Sequence, residues 1–202
     1  MEACEGLLRV KPFESISIAE LARQGRSSVG AFYGRFPGKD SLLDFLDARG
    51  ERDVIEAWDE YFAEERWKDA SAHEVIRDFV ALSVRSHRSR KGIVRALSLR
   101  LRSNPTREML SRTRRLNRRV VEGLWGLLRE RSRELRHPRS ARAVAFGLIM
   151  VVTTIRERVV FEDLDLYPER VRDDELIEEL VRAFTAYLGI QPKVRHGKGG
   201  RR

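Results

Sequence analysis

An all-α fold is predicted from three observations. Apolar residues recur at helical spacing through nearly the whole 202-residue chain. No segment sustains an alternation of apolar and polar residues, and hairpin dipeptides such as Asn-Gly are absent. Pro12, Pro37, Pro105 and Pro138 fall at the ends of periodic segments rather than inside them.

Taken in order, residues 2–9 read as a short helix stopped ahead of Pro12, because the residue before a proline avoids helical geometry. Ser17 caps a helix to about Gln24, with Glu20 at the capping-box position. Ser27 or Ser28 caps the next, to about Arg35, and Pro37-Gly38 breaks the chain. A long helix runs from about Lys39 to Trp67, with Gly50 marking a bend or a break. Helices follow at 72–90, 92–103, 105–134, 138–162 and 173–189, two of them opened by Asn104-Pro105 and His137-Pro138. The terminal "QPKVRHGKGGRR" reads as a disordered basic tail, assigned to 190–202.

Two helices carry more information. In 173–189, Leu176, Ile177, Leu180, Val181, Phe184, Tyr187 and Leu188 fall on one face. Helix 138–162 is apolar nearly all round from Ala143 to Ile155, so it must touch more than one surface. Those surfaces are either its own core and a second subunit, or the core of a monomer alone.

Charge is unevenly distributed. Residues 1–50 carry 7 basic and 7 acidic side chains, 51–84 carry 4 and 10, and 85–139 carry 18 and 4. A net charge of +9 suits a polyanionic partner without naming one. The single cysteine, Cys4, excludes an internal disulfide and a multi-cysteine zinc site. The opening residues lack a charged-then-apolar leader, and no apolar run reaches the roughly 20 residues that span a bilayer, so a cytoplasmic protein without a membrane partner is expected. The histidines, His73, His87, His137 and His196, are scattered without metal-ligand spacing. With no Gly-rich phosphate loop and no nucleophile elbow, neither an enzyme nor a cofactor or metal is expected.

Residues 15–43, "SISIAELARQGRSSVGAFYGRFPGKDSLL", hold Ser17, Leu21, Ala22, Ser28, Gly30, Tyr33, Phe36, Lys39, Asp40, Leu42 and Leu43 at fixed offsets. On these residues the chain resembles the DNA-binding domain of the tetracycline-repressor (TetR) family of bacterial regulators. The resemblance implies a three-helix helix-turn-helix domain over 1–46 and a helical effector-binding and dimerisation domain over 47–189. It implies DNA contacts from Ser28, Val29, Gly30, Ala31, Tyr33, Gly34, Arg35 and Lys39, with Tyr33 and Lys39 on the backbone. Of the base-facing set, Arg35 alone has the bidentate geometry for guanine, worth roughly 1–3 kcal/mol of discrimination. Arg35 on a phosphate is the equal alternative. Three features depart from the family pattern. Gly25-Arg26-Ser27 replaces Ala-Gly-Val at the turn, so either Arg26 adopts a left-handed backbone or the turn shifts to Gly25. Ser27 takes the place of a buried valine. The first helix is short where the family has a longer one behind a basic arm.

By the same resemblance the protein is a homodimer built on its last two helices, with Val144, Leu148, Val152, Ile155, Leu176, Ile177, Leu180, Val181, Phe184 and Leu188 at the interface. An apolar or amphipathic small-molecule effector is expected against Trp58, Phe62, Phe79, Asn117, Val121, Trp125, Phe146, Met150 and Thr154. Each aromatic among them has plain core packing as its alternative. The arginine-rich 85–139 stretch reads as a solvated basic face, with a phosphate-bearing effector such as an acyl-coenzyme A or long-range attraction to DNA as the sharper readings. The function implied is a ligand-responsive regulator, a repressor released from a double-stranded DNA operator. The three departures motivate one alternative, a dimeric small-molecule receptor that no longer binds DNA.

Overall fold

In a computed structural model, residues 2–8 and 10–191 are described, and among them there are α-helices, short 3-10 turns and no strand. The α-helices are α1 (Glu2–Leu8), α2 (Ile18–Gln24), α3 (Val29–Tyr33), α4 (Lys39–Ala63), α5 (Ala72–Ser89), α6 (Lys91–Ser103), α7 (Arg107–Arg129), α8 (Ser140–Ile155) and α9 (Asp173–Leu188). The tail expected over 190–202 lies outside the described residues from 192 onward. Ile190 is not tail: it is buried, and its N–H reaches the Thr185 carbonyl at 2.9 Å.

Side chains, rather than periodicity, set several helix ends. α4 stops at Ala63 instead of Trp67 because Glu64 is extended and the Trp67 indole folds back to donate to the Tyr61 carbonyl at 2.6 Å. That bond occupies one of the carbonyls a helix C-terminus leaves open. α7 stops at Arg129 instead of 134. Just beyond it the buried Arg131 guanidinium donates to the carbonyls of Leu127, Trp67 and Ala70, pinning the α4–α5 connection to α7. α8 begins at Ser140 and ends at Ile155, short of 162. Its last turn widens into a π-helical segment, Arg156–Val160, closed by the Phe161 N–H on the Arg156 carbonyl at 3.1 Å. α4 runs unbroken through Gly50 for 25 residues, about 37 Å at the standard rise. The expected boundary at 46/47 falls inside it.

The apolar residues gather into two cores. The smaller joins Leu8 of α1, Phe13 and Ile16 of the following turn, Leu21, Phe32 and the α4 residues Leu42, Leu43 and Leu46. Ala96 of α6 belongs to it as well. The larger contains Val75, Phe79, Leu124, Leu128, Val144, Ile155, Phe184 and Leu188, all fully buried. α4 packs along α7, α5 along α9, and α8 against both α7 and α9. Two glycines permit close crossings: a Cβ at Gly123 would lie 2.2 Å from the Phe62 ring, and one at Gly147 2.0 Å from the Phe184 ring.

The α2–α3 turn closes as a Schellman motif. The Ser27 N–H bonds the Ala22 carbonyl at 2.8 Å and the Arg26 N–H bonds that of Arg23 at 3.1 Å. Arg26 holds the left-handed position at φ 50°, while Gly25 stays at φ −81°. The turn is therefore not displaced: an arginine occupies the backbone state that favours glycine. Ser27 is exposed, so the expected cost of burying its hydroxyl does not arise. Relieving the left-handed strain has a measurable consequence: Arg26→Gly raises stability by about 1 kcal/mol in urea unfolding, whereas Gly25→Ala gives no comparable gain.

Candidate nucleic-acid and ligand sites

α3 presents its residues outward. Ser28 is its N-cap, the hydroxyl accepting the Ala31 N–H at 3.0 Å, and the capping box of α2 is complete between Ser17 and Glu20. Hydrogen bonds, from Lys11 first and then from Ser17, hold the Glu20 carboxyl at about 2. Of the residues in α3 only Phe32 is buried; its ring meets Tyr33 and Phe36 edge-on or tilted, at 5.7 and 5.5 Å. Ser28, Val29, Gly30, Ala31, Tyr33, Gly34 and Arg35 are all exposed on one short helix and its end. Lys39 is placed differently. Its ammonium donates to the Phe13 and Glu14 carbonyls at 2.7 and 3.1 Å and sits over the Phe13 ring, clasping the start of α4 to the α1–α2 connection. Two of its three donors are thus spent inside the chain, a role the motif did not suggest.

A cavity of about 270 Å3 lies between α4, α5, α6, α7 and the end of α8. Its wall is mostly apolar, with Val54, Trp58, Phe79, Val94, Leu97 and Met109 among the lining residues. Of the residues expected there, Trp58, Phe79 and Asn117 are on the wall. The other six are not. Phe62 stacks on Trp58 but turns its edge onto Gly123, Val121 and Trp125 pack against the larger core, and Thr154 is half-buried off the wall. Met150 is also off the wall, and Phe146 is 53% exposed on the outer surface of α8. For Phe146, Met150 and Thr154 the cause is rotational: α8 is apolar on nearly every side and gives no sign of which side faces a cavity.

The expected dimer contacts are displaced as well, on α8 through the same ambiguity and on α9 because its one apolar face packs into the protomer's own core. Val144, Ile155, Leu176, Leu180, Val181, Phe184 and Leu188 are buried inside the protomer, Ile177 packs half-buried against that core, and Leu148 and Val152 line the cavity. Phe184 fills the space over Gly147. Among the residues left exposed on α8 and α9 are Phe146, Ile149, Thr153, Ala183 and Tyr187, with the Phe146 and Tyr187 rings 5.7 Å apart. The Thr153 hydroxyl is satisfied by the Ile149 carbonyl at 2.6 Å, leaving its methyl for the surface.

The arginine-rich stretch is not simply a solvated face. Arg112 of α7 bonds Asp47 at 2.7 Å, Arg115 pairs with Glu51 at 2.8 Å and Arg119 with Asp59 at 2.6 Å, all three acids on α4. Arg100 of α6 lies 3.5 Å from both Asp40 and Asp44. At the α5–α6 corner, Arg88 bonds Glu162 and Asp173 at 2.6 and 2.5 Å, and Lys91 bonds Glu162 at 2.9 Å. Most of these pairs are exposed and worth little singly. Asp47–Arg112 is the most enclosed of the α4–α7 pairs, and burial pushes the Asp47 carboxyl up despite its partner.

α6 connects the two regions. Ile93, Val94, Leu97, Ser98 and Leu101 line the cavity, while Ala96 is buried in the smaller core. At Gly92 a Cβ would lie 1.9 Å from the Leu8 carbonyl oxygen, so only glycine lets α6 approach α1 this closely. Among the described residues no cluster of His, Cys, Asp or Glu could hold a metal ion, and no helix is long and apolar enough to cross a membrane.

An exposed reading-type helix on a small core, joined by shared helices to a bundle with an internal cavity, defines a helix-turn-helix regulator fold. Residues 71–188 match the tetracyclin repressor-like C-terminal domain, which places the chain in the TetR family of transcriptional regulators; it is not an enzyme. The solved structures agree on the fold. PfmR, a TetR family regulator from Thermus thermophilus, is 19% identical, with a TM-score of 0.64 over 95% of this chain and 98% of that one. A regulator from Rhodococcus sp. Rha1 is 16% identical, with 0.63 over 95% and 98%. FadR from Bacillus subtilis, in complex with stearoyl-CoA, is 20% identical, with 0.56 over 94% and 97%. No curated protein matches the chain by sequence.

The cavity also has a pH signature. The His87 ring donates from Nδ1 to the Ser83 carbonyl at 2.8 Å. Burial chiefly, with Arg156 and Arg90 adding to it, pushes the imidazole below its ordinary 6.5. The folded chain thus keeps His87 neutral where the unfolded chain takes up a proton. The stabilisation is complete above pH 6.5 and is lost as the pH falls through the lowered folded value. Urea midpoints should decline below pH 6.5, and His87→Gln should flatten that part of the profile.

Proposed function

We propose that this protein is a ligand-responsive, DNA-binding transcriptional regulator acting as a homodimer, and a repressor released from its operator by a small molecule. The observation that carries the reading is the double packing of α6: one face borders the cavity and the other is built into the core that supports α3. A ligand filling the cavity displaces α6, or α4 opposite it, and so moves the reading helix as a body. Such a ligand shifts the population away from the DNA-competent form only through its differential affinity for the two arrangements.

On the DNA, Val29, Ala31, Gly34 and Arg35 face base edges, while Ser28, Gly30 and Tyr33 meet the backbone. Lys39 is assigned to holding α4 in place, with its third donor available to a phosphate. Two reading helices have to meet major grooves about 34–36 Å apart, which requires a dimer. The exposed Phe146, Ile149, Thr153, Ala183 and Tyr187 of α8 and α9 are assigned to that interface, replacing the buried set. An amphipathic effector suits the mostly apolar wall, and the neighbouring FadR was solved with such a molecule. The intact Schellman turn weighs against a receptor with a degenerate reader.

Footprinting of the DNA upstream of the gene tests the regulator. The expected result is protection of a pseudo-palindrome, weakened for Arg35→Ala and lost for the Phe146→Glu/Ile149→Glu variant, which sediments as a monomer. Absence of any protected site by a folded dimer would sink the proposal. Coupling is tested separately at the α1–α6 crossing. Gly92→Ala forces α6 off the Leu8 carbonyl and is expected to weaken DNA binding and, because α6 also lines the cavity, to change ligand affinity with it.

A further inference from the structure

The cavity wall carries five strongly charged side chains, and they do not cancel. Asp47 and Glu51 of α4 are each answered by an α7 arginine, Arg112 at 2.7 Å and Arg115 at 2.8 Å. Arg90, which is exposed, and Arg156, which is half-buried, are on the same wall and make no ion pair among the described residues. Nε of Arg156 is buried with no hydrogen-bond partner. Burial of this half-buried guanidinium disfavours its charge, with Arg102 adding to the effect.

Arg156 opens the π-helical segment, a geometry that is rare and concentrates at functional sites. Arg90 follows the end of α5 and its Nη2 lies over Gly50 of α4, 3.3 Å from where a Cβ would stand. His87 lies within the field of both arginines and also borders the cavity. The local balance is cationic, since Arg102 adds a like charge near Arg156 and the neighbouring Glu157 acts on it more weakly. The rest of the wall, with Trp58, Phe79, Val94 and Leu97, offers apolar contact.

We propose that the cavity takes an amphipathic ligand by a single anionic group, a carboxylate or a phosphate, bound between Arg90 and Arg156, with the apolar body against Trp58, Phe79, Val94 and Leu97. This rests on the cavity being the effector site and specifies what that effector carries. Arginine suits the role because its planar donor fork matches the oxygens of either anion. The anion supplies a counter-charge that Arg156 lacks among the described residues. It also ties the end of α5, just before α6, to the end of α8.

Calorimetric titration of the full chain with decanoate, decyl phosphate and decanol tests the assignment. At least one anion is expected to bind about tenfold or more tighter than decanol, the gain of a charge-assisted hydrogen bond. The tighter of the two anions identifies the group. In Arg90→Met/Arg156→Met the preference is expected to fall to about onefold with decanol binding retained, which also reports that the variant is folded. Arg156→Lys, which keeps the charge without the fork, is expected to keep part of the preference. Equal binding of all three ligands by the unmodified chain would overturn the anion site and leave the cavity reading standing. So would a preference that survives in the double variant. Binding of none of the three would overturn both.

Discussion

Charge that is separated along the chain is cancelled across the contact between α4 and α7. The acidic 51–84 stretch begins within α4, and the arginines of 85–139 are most numerous on α7. Folding sets Asp47, Glu51 and Asp59 against Arg112, Arg115 and Arg119, so the two longest helices are held side by side by a ladder of ion pairs. Two of its three rungs are too exposed to contribute much stability. The inner rung, Asp47–Arg112, is costly to form, since burial pushes the Asp47 carboxyl up even with its partner in place. What such a pair provides is register: either charge left alone beside the cavity would be far more costly than the pair. The cavity is the gap this ladder leaves at its inner edge, and Asp47, Glu51 and Arg112 are part of the wall.

The ladder also explains why the two cores are not independent. α4 begins in the smaller core with Leu42, Leu43 and Leu46 and ends against the larger one with Trp58 and Tyr61. α6 repeats the arrangement from the other side, its approach to α1 allowed by Gly92 and its opposite flank along the cavity. Two rigid helices crossing from one core to the other make relative motion of the cores a matter of helix displacement rather than linker flexibility. Close packing has no gradual way to absorb such a displacement, so a filled cavity and an empty one favour discrete arrangements.

The helix-turn-helix and the all-α architecture were legible before any coordinates, because they rest on local chemistry. Ser17 with Glu20, Ser28 ahead of α3, and Pro37-Gly38 ahead of α4 are capping and breaking signals whose partners lie within three or four residues. Arg26 could be read only as one of two options. Both Gly25 and Arg26 were positions where the turn might reverse, and the hydrogen bonds from Ser27 and Arg26 back into α2 decided for the arginine.

Rotation about a helix axis lies beyond that local code. The sequence determined that α8 is apolar on every side, and nothing in that pattern says which residues meet α9, which meet the cavity and which meet solvent. Tertiary packing alone put Leu148 and Val152 on the cavity and Val144 and Ile155 in the core, and left Phe146 and Ile149 exposed. Charge behaves the same way. Composition determined an arginine-rich stretch, but whether an arginine is solvated, paired or left without a partner depends on residues some 60 positions away, as Asp47 is from Arg112. Arg90 and Arg156 stand out only once the other wall charges have found partners, and that pairing is a property of the packed helices.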